Sequence, residues 1–432
     1  MDLVRARMAA SDLTHLVVYG DREHFANIAW LTGYDPRFEE ALCVLRASGP
    51  ALLLVGNEGE GYINVSPLVA AGELRTEQYQ EFSLLDQPRD SSRSLDEILS
   101  AEGVAGDSLV GCAGWKYLYE LSDVRRDLLD APSFIVDALR RRAGTESVLN
   151  VTDMFMHSDY GLRSFCSIHD IAFFEYTNVL ASESVQTMIF GLQPGMSDFE
   201  LMQLAGYQGL PLGCHLVCVG AENADKGLSS PVGQVLRRGT PLAFNVCYWG
   251  ANICRVGWIA ESADDLPDDA RDYVDAFVVP YLRAIRAWLA ALTIGASGGA
   301  LFDIVHERLP HEDYGVFLNP GHLIHLDEWV SSPIFSDSSI PLHSGMAMQI
   351  DIIPSSARYF STRMEEGVVL ADADLRRELE HRYPECAARC GARRTFMNEV
   401  LGFEVPDEIL PLSNIAGLVP PFLLDPQVVV VP

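Results

Sequence analysis

Short, unbroken apolar runs alternate with longer stretches of helical period over the first third of the chain. His15-Leu16-Val17-Val18-Tyr19, Ala41-Leu42-Cys43-Val44-Leu45 and Ala51-Leu52-Leu53-Leu54-Val55 are too short for buried helices and predict strands covered on both faces. Helices are predicted over Ser94–Ala101 and Lys116–Leu128. Such alternation is the mark of a small α/β domain with a buried sheet, here assigned to residues 1–150. Arg140-Arg141-Arg142 and Gly144-Thr145 break the rhythm and set the boundary.

The remainder, residues 151–432, is predicted to be a second, α+β domain. Ser167 to Phe190 carries Ile171, Phe174, Val179, Leu180, Val185 and Ile189 near helical spacing, and Pro194-Gly195-Met196 stops it. Ser197 with Glu200 three positions later opens the next helix as a capping box. A polar turn, Glu222 to Ser230, precedes a strand-rich stretch from Pro241 to Ala260. A long helix over Asp268–Leu292 closes at Gly295–Gly299, and strands return between His322 and Ala371. The proline-rich tail from Glu399 to Pro432 predicts an extended wrap around this domain rather than a third one.

Composition narrows the partners. Sixty acidic against 31 basic residues give a formal net charge of −29, which repels nucleic acid and anionic membranes, so neither is expected as a partner. No run of eighteen apolar residues is present, and Met1-Asp2-Leu3-Val4-Arg5-Ala6-Arg7 lacks the apolar stretch of a secretory signal. The 9 cysteines show no CxxC spacing, so reduced thiols and a cytoplasmic location are expected.

Several segments, in order, carry a family resemblance. They are Asn27-Ile28-Ala29-Trp30-Leu31-Thr32-Gly33-Tyr34, the helix ending in Pro194-Gly195-Met196, Gly321-His322-Leu323-Ile324-His325, Gly345-Met346-Ala347-Met348-Gln349-Ile350-Asp351 and Arg363-Met364-Glu365-Glu366-Gly367. Together they resemble the creatinase, aminopeptidase P and prolidase superfamily, and imply a pita-bread catalytic domain behind a creatinase-like N-terminal domain. Carried over position by position, the resemblance assigns metal-ligand places to His322, Asp351 and Glu365, and puts Asn245 and Asn252 where the family has two Asp ligands. Arg255 stands where the family has an Arg after the second Asp. The family's substrate-side histidine falls near Trp329, and creatinase's acid/base histidine near Gly227 or Leu228, where this chain has none. Arg37 takes the place of an arginine that reaches a neighbouring subunit's substrate, which implies a homodimer.

The two asparagines change the chemistry implied. A pair of close cations needs bridging carboxylates, whereas an amide offers one neutral oxygen and an NH₂ with positive hydrogens. Each lost anion costs at least several kcal/mol of metal affinity, to order of magnitude. The expectation is therefore a creatinase-like hydrolase that cleaves a C–N bond in a small polar amine- or guanidine-bearing substrate with no cofactor. Asp351 and Glu365 would grip the cation and His322 would carry the proton. Arg37, Asn245, Asn252, Arg255, His325, Trp329 and Arg363 are the candidate substrate contacts, with His215 a weaker proton carrier. His325 is expected on the face opposite His322 if the segment is extended. Two alternatives stand beside this: a single-metal Xaa-Pro peptidase-like hydrolase or lyase with one Mn, Fe or Zn ion on His322, Asp351 and Glu365, and a catalytically silent small-molecule-binding protein.

Overall fold

A computed structural model describes residues 1–120, 123–220 and 228–432. They form two compact units, Met1–Arg163 and Ser164–Pro432. The break falls after Arg163 rather than at residue 150 because the intervening segment bonds back into the first unit. Val151 N–H donates to the Cys112 carbonyl, and the Arg163 guanidinium donates to Asn27 Oδ1 at 2.7 Å.

In the first unit the strands are β1 (His15–Gly20), β2 (Ala41–Arg46), β3 (Ala51–Val55), β4 (Leu74–Gln78), β5 (Val110–Ala113), the short pair β6 (Tyr119–Glu120) and β7 (Asp123–Val124), and β8 (Val148–Asn150). Six of them make one sheet, ordered β4-β3-β2-β1-β5-β8. All positions of β1 and β3 are buried, as continuous apolar runs require. The helix predicted over Lys116–Leu128 does not form; the described part of that segment is the β6–β7 pair. Asn150 Nδ2 explains why: it donates to the carbonyls of both Lys116 (3.0 Å) and Leu128 (2.8 Å). A helix would hold those carbonyls roughly 18 Å apart.

The second unit contains β9 (Cys218–Gly220), β10 (Pro241–Tyr248), β11 (Ala251–Trp258), β12 (His322–Leu323), β13 (Ala347–Gln349), β14 (Arg363–Glu365), β15 (Gly367–Leu370) and β16 (Ile409–Pro411). They form two four-stranded sheets, β14-β11-β10-β9 and β12-β13-β15-β16. Within the tail, β16 is a three-residue strand that pairs antiparallel with β15. Of the predicted polar turn, residues 222–227 lie outside the described residues, as does the Gly227 position. The predicted long helix after Asp268 forms as a π turn over Val274–Val278 followed by an α-helix over Val279–Ala291. Pro280 has no N–H to return to the Ala276 carbonyl, so regular α pairing fails there. Two helices, Ala373–Arg382 and Pro384–Glu399, were not anticipated.

The hairpin of β10 and β11 organises the unit. It turns in two residues, Trp249 and Gly250, and Gly250 has φ +72°. A Cβ at Gly250 would meet the Phe174 ring at 1.9 Å, so only glycine lets the helix pass the hairpin tip. That helix, Ile168–Gly191, starts at a capping box of Ser167 and Asp170. Phe244, Val246, Tyr248, Ala251 and Ile253 pack with its Ala181, Val185 and Met188. The alternate positions, Asn245, Cys247, Asn252 and Cys254, therefore point to the other face.

Candidate active site

The tight hairpin places Asn245 opposite Cys254 and Cys247 opposite Asn252, so the two amides are diagonal neighbours on one face. Cys254 in turn faces Glu365 on β14. The amides form a directional relay anchored on the backbone. Val217 N–H donates to Asn245 Oδ1 at 2.7 Å, Asn245 Nδ2 donates to Asn252 Oδ1 at 3.0 Å, and Asn252 Nδ2 donates to Glu365 Oε1 at 2.6 Å. The Asn252 amide also helps to lower the Glu328 pKa. Because the first donor is a backbone N–H, the orientation of both amides follows from it. Both amide oxygens are taken up within the relay, and Asn252 presents N–H groups to the acids.

His322 on β12 completes the cluster and is wholly buried. Its Nδ1 lies 3.2 Å from the Leu323 carbonyl, and its Nε2 3.1 Å from Glu328 Oε1 and 3.9 Å from Asp351 Oδ2. A carbonyl beside Nδ1 and a carboxylate beside Nε2 both favour the charged form of the ring. Trp329 stacks on it with ring centroids 4.1 Å apart. The Glu328 side chain is 21% exposed, whereas Asp351, Glu365, Asn245 and Asn252 are all buried.

Charge is balanced internally. Burial works against His322 ionisation, but the Glu328 charge and hydrogen bond outweigh it, with help from Asp351, and its pKa is raised. Burial likewise opposes ionisation of Glu328, yet His322 and the Asn252 N–H hold its carboxyl below the usual range. Asp351 is pushed up by burial, against the pull of His322 and Arg363. Glu365 is pushed well above the carboxylate range by burial and then by Asp351. The site thus sets the His322–Glu328 pair beside an acid whose pKa is pushed up, the kind of split environment that suits general acid–base work.

The sequence-predicted residues divide as follows. His322, Asp351, Glu365, Asn245, Asn252, Trp329 and Arg363 come together; Arg363 sits near Cys254 Sγ (4.0 Å) and feels Asp351 and Glu365. Arg255 does not join them. One position past Cys254, it faces the opposite side and makes a fully buried ion pair with Glu366, with further bonds to the Leu418 and Ile415 carbonyls. His325 also turns away, edge-on to Phe174 at 5.0 Å. His215 is exposed, its Nε2 2.9 Å from the Leu228 carbonyl. Arg37, in the first unit, pairs with Asp35 at 2.7 Å and lies over the Phe25 ring. Glu328 was missed. Its only signal is the acidic pair Asp327-Glu328 just before Trp329, and a short loop of that kind has no periodicity to mark its direction.

A dinuclear metal centre does not fit this donor set. At the two asparagine positions the oxygens are committed, and at Asn252 the hydrogens face the acids, so a cation there would meet positive hydrogens. A single ion is a different matter: His322, Glu328 and Glu365 each offer an atom within 4.8 Å of the others. These residues differ by one from the predicted single-ion set, with Glu328 in place of Asp351.

Solved structures share this architecture. The chain is similar to a prolidase from Thermococcus sibiricus (TM-score 0.66, 13% identity, 95% of each chain covered). It is also similar to a prolidase from Pyrococcus horikoshii OT3 (TM-score 0.65, 13% identity, 86% of this chain and 94% of that one). An X-Pro aminopeptidase from Thermotoga maritima aligns with TM-score 0.64 at 15% identity, over 86% of this chain and 94% of its own. No family model and no curated protein matches the sequence. The chain shares the mixed α+β fold of these prolidase and X-Pro aminopeptidase structures. No helix among the described residues is long and apolar enough to cross a membrane.

Proposed function

We propose that the protein is a hydrolase that cleaves a C–N bond in a small polar amine- or guanidine-bearing compound by proton transfer, without a pair of metal ions. The carrying observation is the 2.6 Å hydrogen bond from Asn252 Nδ2 to Glu365 Oε1, which puts a donor where a bridging anion would be needed. In this reading Asp351 binds the substrate's N–H groups, and Glu328 takes a proton from the attacking water. His322 delivers its proton to the departing nitrogen. Arg363 offsets the acids, and Trp329 shields the imidazole from solvent. An active homodimer with Arg37 directed at a neighbouring subunit belongs to the same proposal and rests on the resemblance alone. A cytoplasmic location, expected from the cysteine pattern, belongs to it as well.

Metal analysis and turnover of small amides and guanidines in the presence of chelator test the reading. Activity that survives chelation, with no stoichiometric metal pair, is the expected result. Two bound ions per chain would overturn it.

A second reading is favoured by the convergence of His322, Glu328 and Glu365 within 4.8 Å. There a single ion on these residues would supply Lewis-acid chemistry to a peptidase-like hydrolase, and chelators would abolish turnover.

A further inference from the structure

Within the buried site Gln349 and Asp351 are left with hydrogen-bonding capacity that no described residue takes up. Gln349 is wholly buried, and neither its Nε2 nor its Oε1 has a hydrogen-bond partner. Asp351, two residues on and also buried, has Oδ1 without one. Buried amides are nearly always satisfied, so a carboxamide idle at both ends calls for a ligand. Its place says which one. Gln349 on β13 is the direct cross-strand partner of His322 on β12, so the two side chains share a face as close neighbours. The next residue in that row, across β15, is Gly367, whose side-chain space is taken by Asn178. The row therefore sets an unfilled donor and acceptor beside the imidazole.

We infer that Gln349 is a specificity-determining residue that reads an amide or ureido group in the substrate. Its Nε2 donates to the substrate carbonyl, and its Oε1, with Asp351 Oδ1, accepts the adjoining N–H groups. This rests on the C–N cleavage proposed above and replaces the guanidine of that reading with a ureido or amide group. A guanidinium has N–H donors only, so it would leave Nε2 idle, whereas a carbamoyl group satisfies both ends of the carboxamide. A site that hydrogen-bonds one partner discriminates against the analogue lacking it, because the polar group is then buried unpaired.

N-carbamoylglycine and guanidinoacetate form a suitable pair, because they are isosteric and differ only at that carbon's oxygen or nitrogen. Calorimetric titration and thermal shift need no turnover. The expected result is that the wild-type protein binds the carbamoyl compound about tenfold tighter or more. Gln349→Leu should lose that preference while unfolding at no lower temperature, since the amide it removes has no partner in the fold. Should Leu there impair folding, Gln349→Met, unbranched and better able to fill the site, serves in its place. An unchanged preference in these variants, tighter binding of guanidinoacetate, or no binding of either compound at millimolar concentration would overturn the inference. If the preference holds and no C–N cleavage is found with any amide, the reaction fails and the recognition role stands.

Discussion

Asn252 gives its amide hydrogen to Glu365 across 2.6 Å, and its own carbonyl is held by Asn245. A site that would otherwise need cations to separate its acids is thereby stitched together by neutral hydrogen bonds.

That bond sets the first expectation. Asn252→Asp replaces N–H donors with a carboxyl that faces the charged Glu328 and takes the donor away from Glu365. Stability in chelator is expected to fall by about 2–4 kcal/mol, and Mn²⁺ or Zn²⁺ should restore part of it. Denaturant unfolding with and without metal measures both. A variant as stable as the wild type in chelator would mean that the relay runs in another direction.

The His322–Glu328 pair gives stability a defined pH window. The folded pKa of His322 is raised, so its contribution is complete below the unfolded value of about 6.5 and is lost as pH rises through the folded value. For Glu328 the folded pKa is lowered, so its contribution is present above about 4.3 and lost as pH falls through the folded value. Glu328→Gln should therefore cost most in the weakly acidic to neutral range, where both groups are charged, by about 1–3 kcal/mol. Melting temperatures of the two proteins across pH should converge at both extremes.

Glu365 behaves in the opposite sense. Its folded pKa lies well above the unfolded one, so it favours the fold at acid pH and ceases to do so as pH rises through the folded value. Glu365→Gln keeps the acceptor for Asn252 and cannot ionise. It is expected to match the wild type at acid pH and exceed it by about 1–2 kcal/mol at alkaline pH. A variant destabilised equally at every pH would contradict this.

Arg255 and Glu366 tie β11 to the β14–β15 bend from behind the site. Removing one partner strands a buried charge, so Arg255→Met should lower unfolding free energy by about 3–5 kcal/mol. Pairing it with Glu366→Leu should recover much of the loss. Small-ligand affinity of whichever variant folds is expected to be unchanged, because neither side chain reaches the acids around His322.

Much of the fold could be read from periodicity. The buried strands β1, β2 and β3, the Ile168–Gly191 helix, the Ser197–Glu200 capping box of the helix after it, and the strands of the Pro241–Ala260 stretch all follow from local pattern and short-range chemistry. The segment Lys116–Leu128 escaped because a distant amide, Asn150, holds its ends together. At the site, motif order located His322, Asp351, Glu365 and the two asparagines. Glu328 and Gln349 carry no local mark: the first arrives by a loop, and the second matters through its cross-strand neighbour.

Residue identity alone dictated the charge deficit, since no folding can give Asn245 or Asn252 a carboxylate. Which way those amides point, that Arg255 turns its back on the acids, and that Glu328 takes up the imidazole were matters of packing. Side-chain direction depends on strand register and on the donors fixed nearby, such as Val217 N–H, and those come from parts of the chain far apart in sequence.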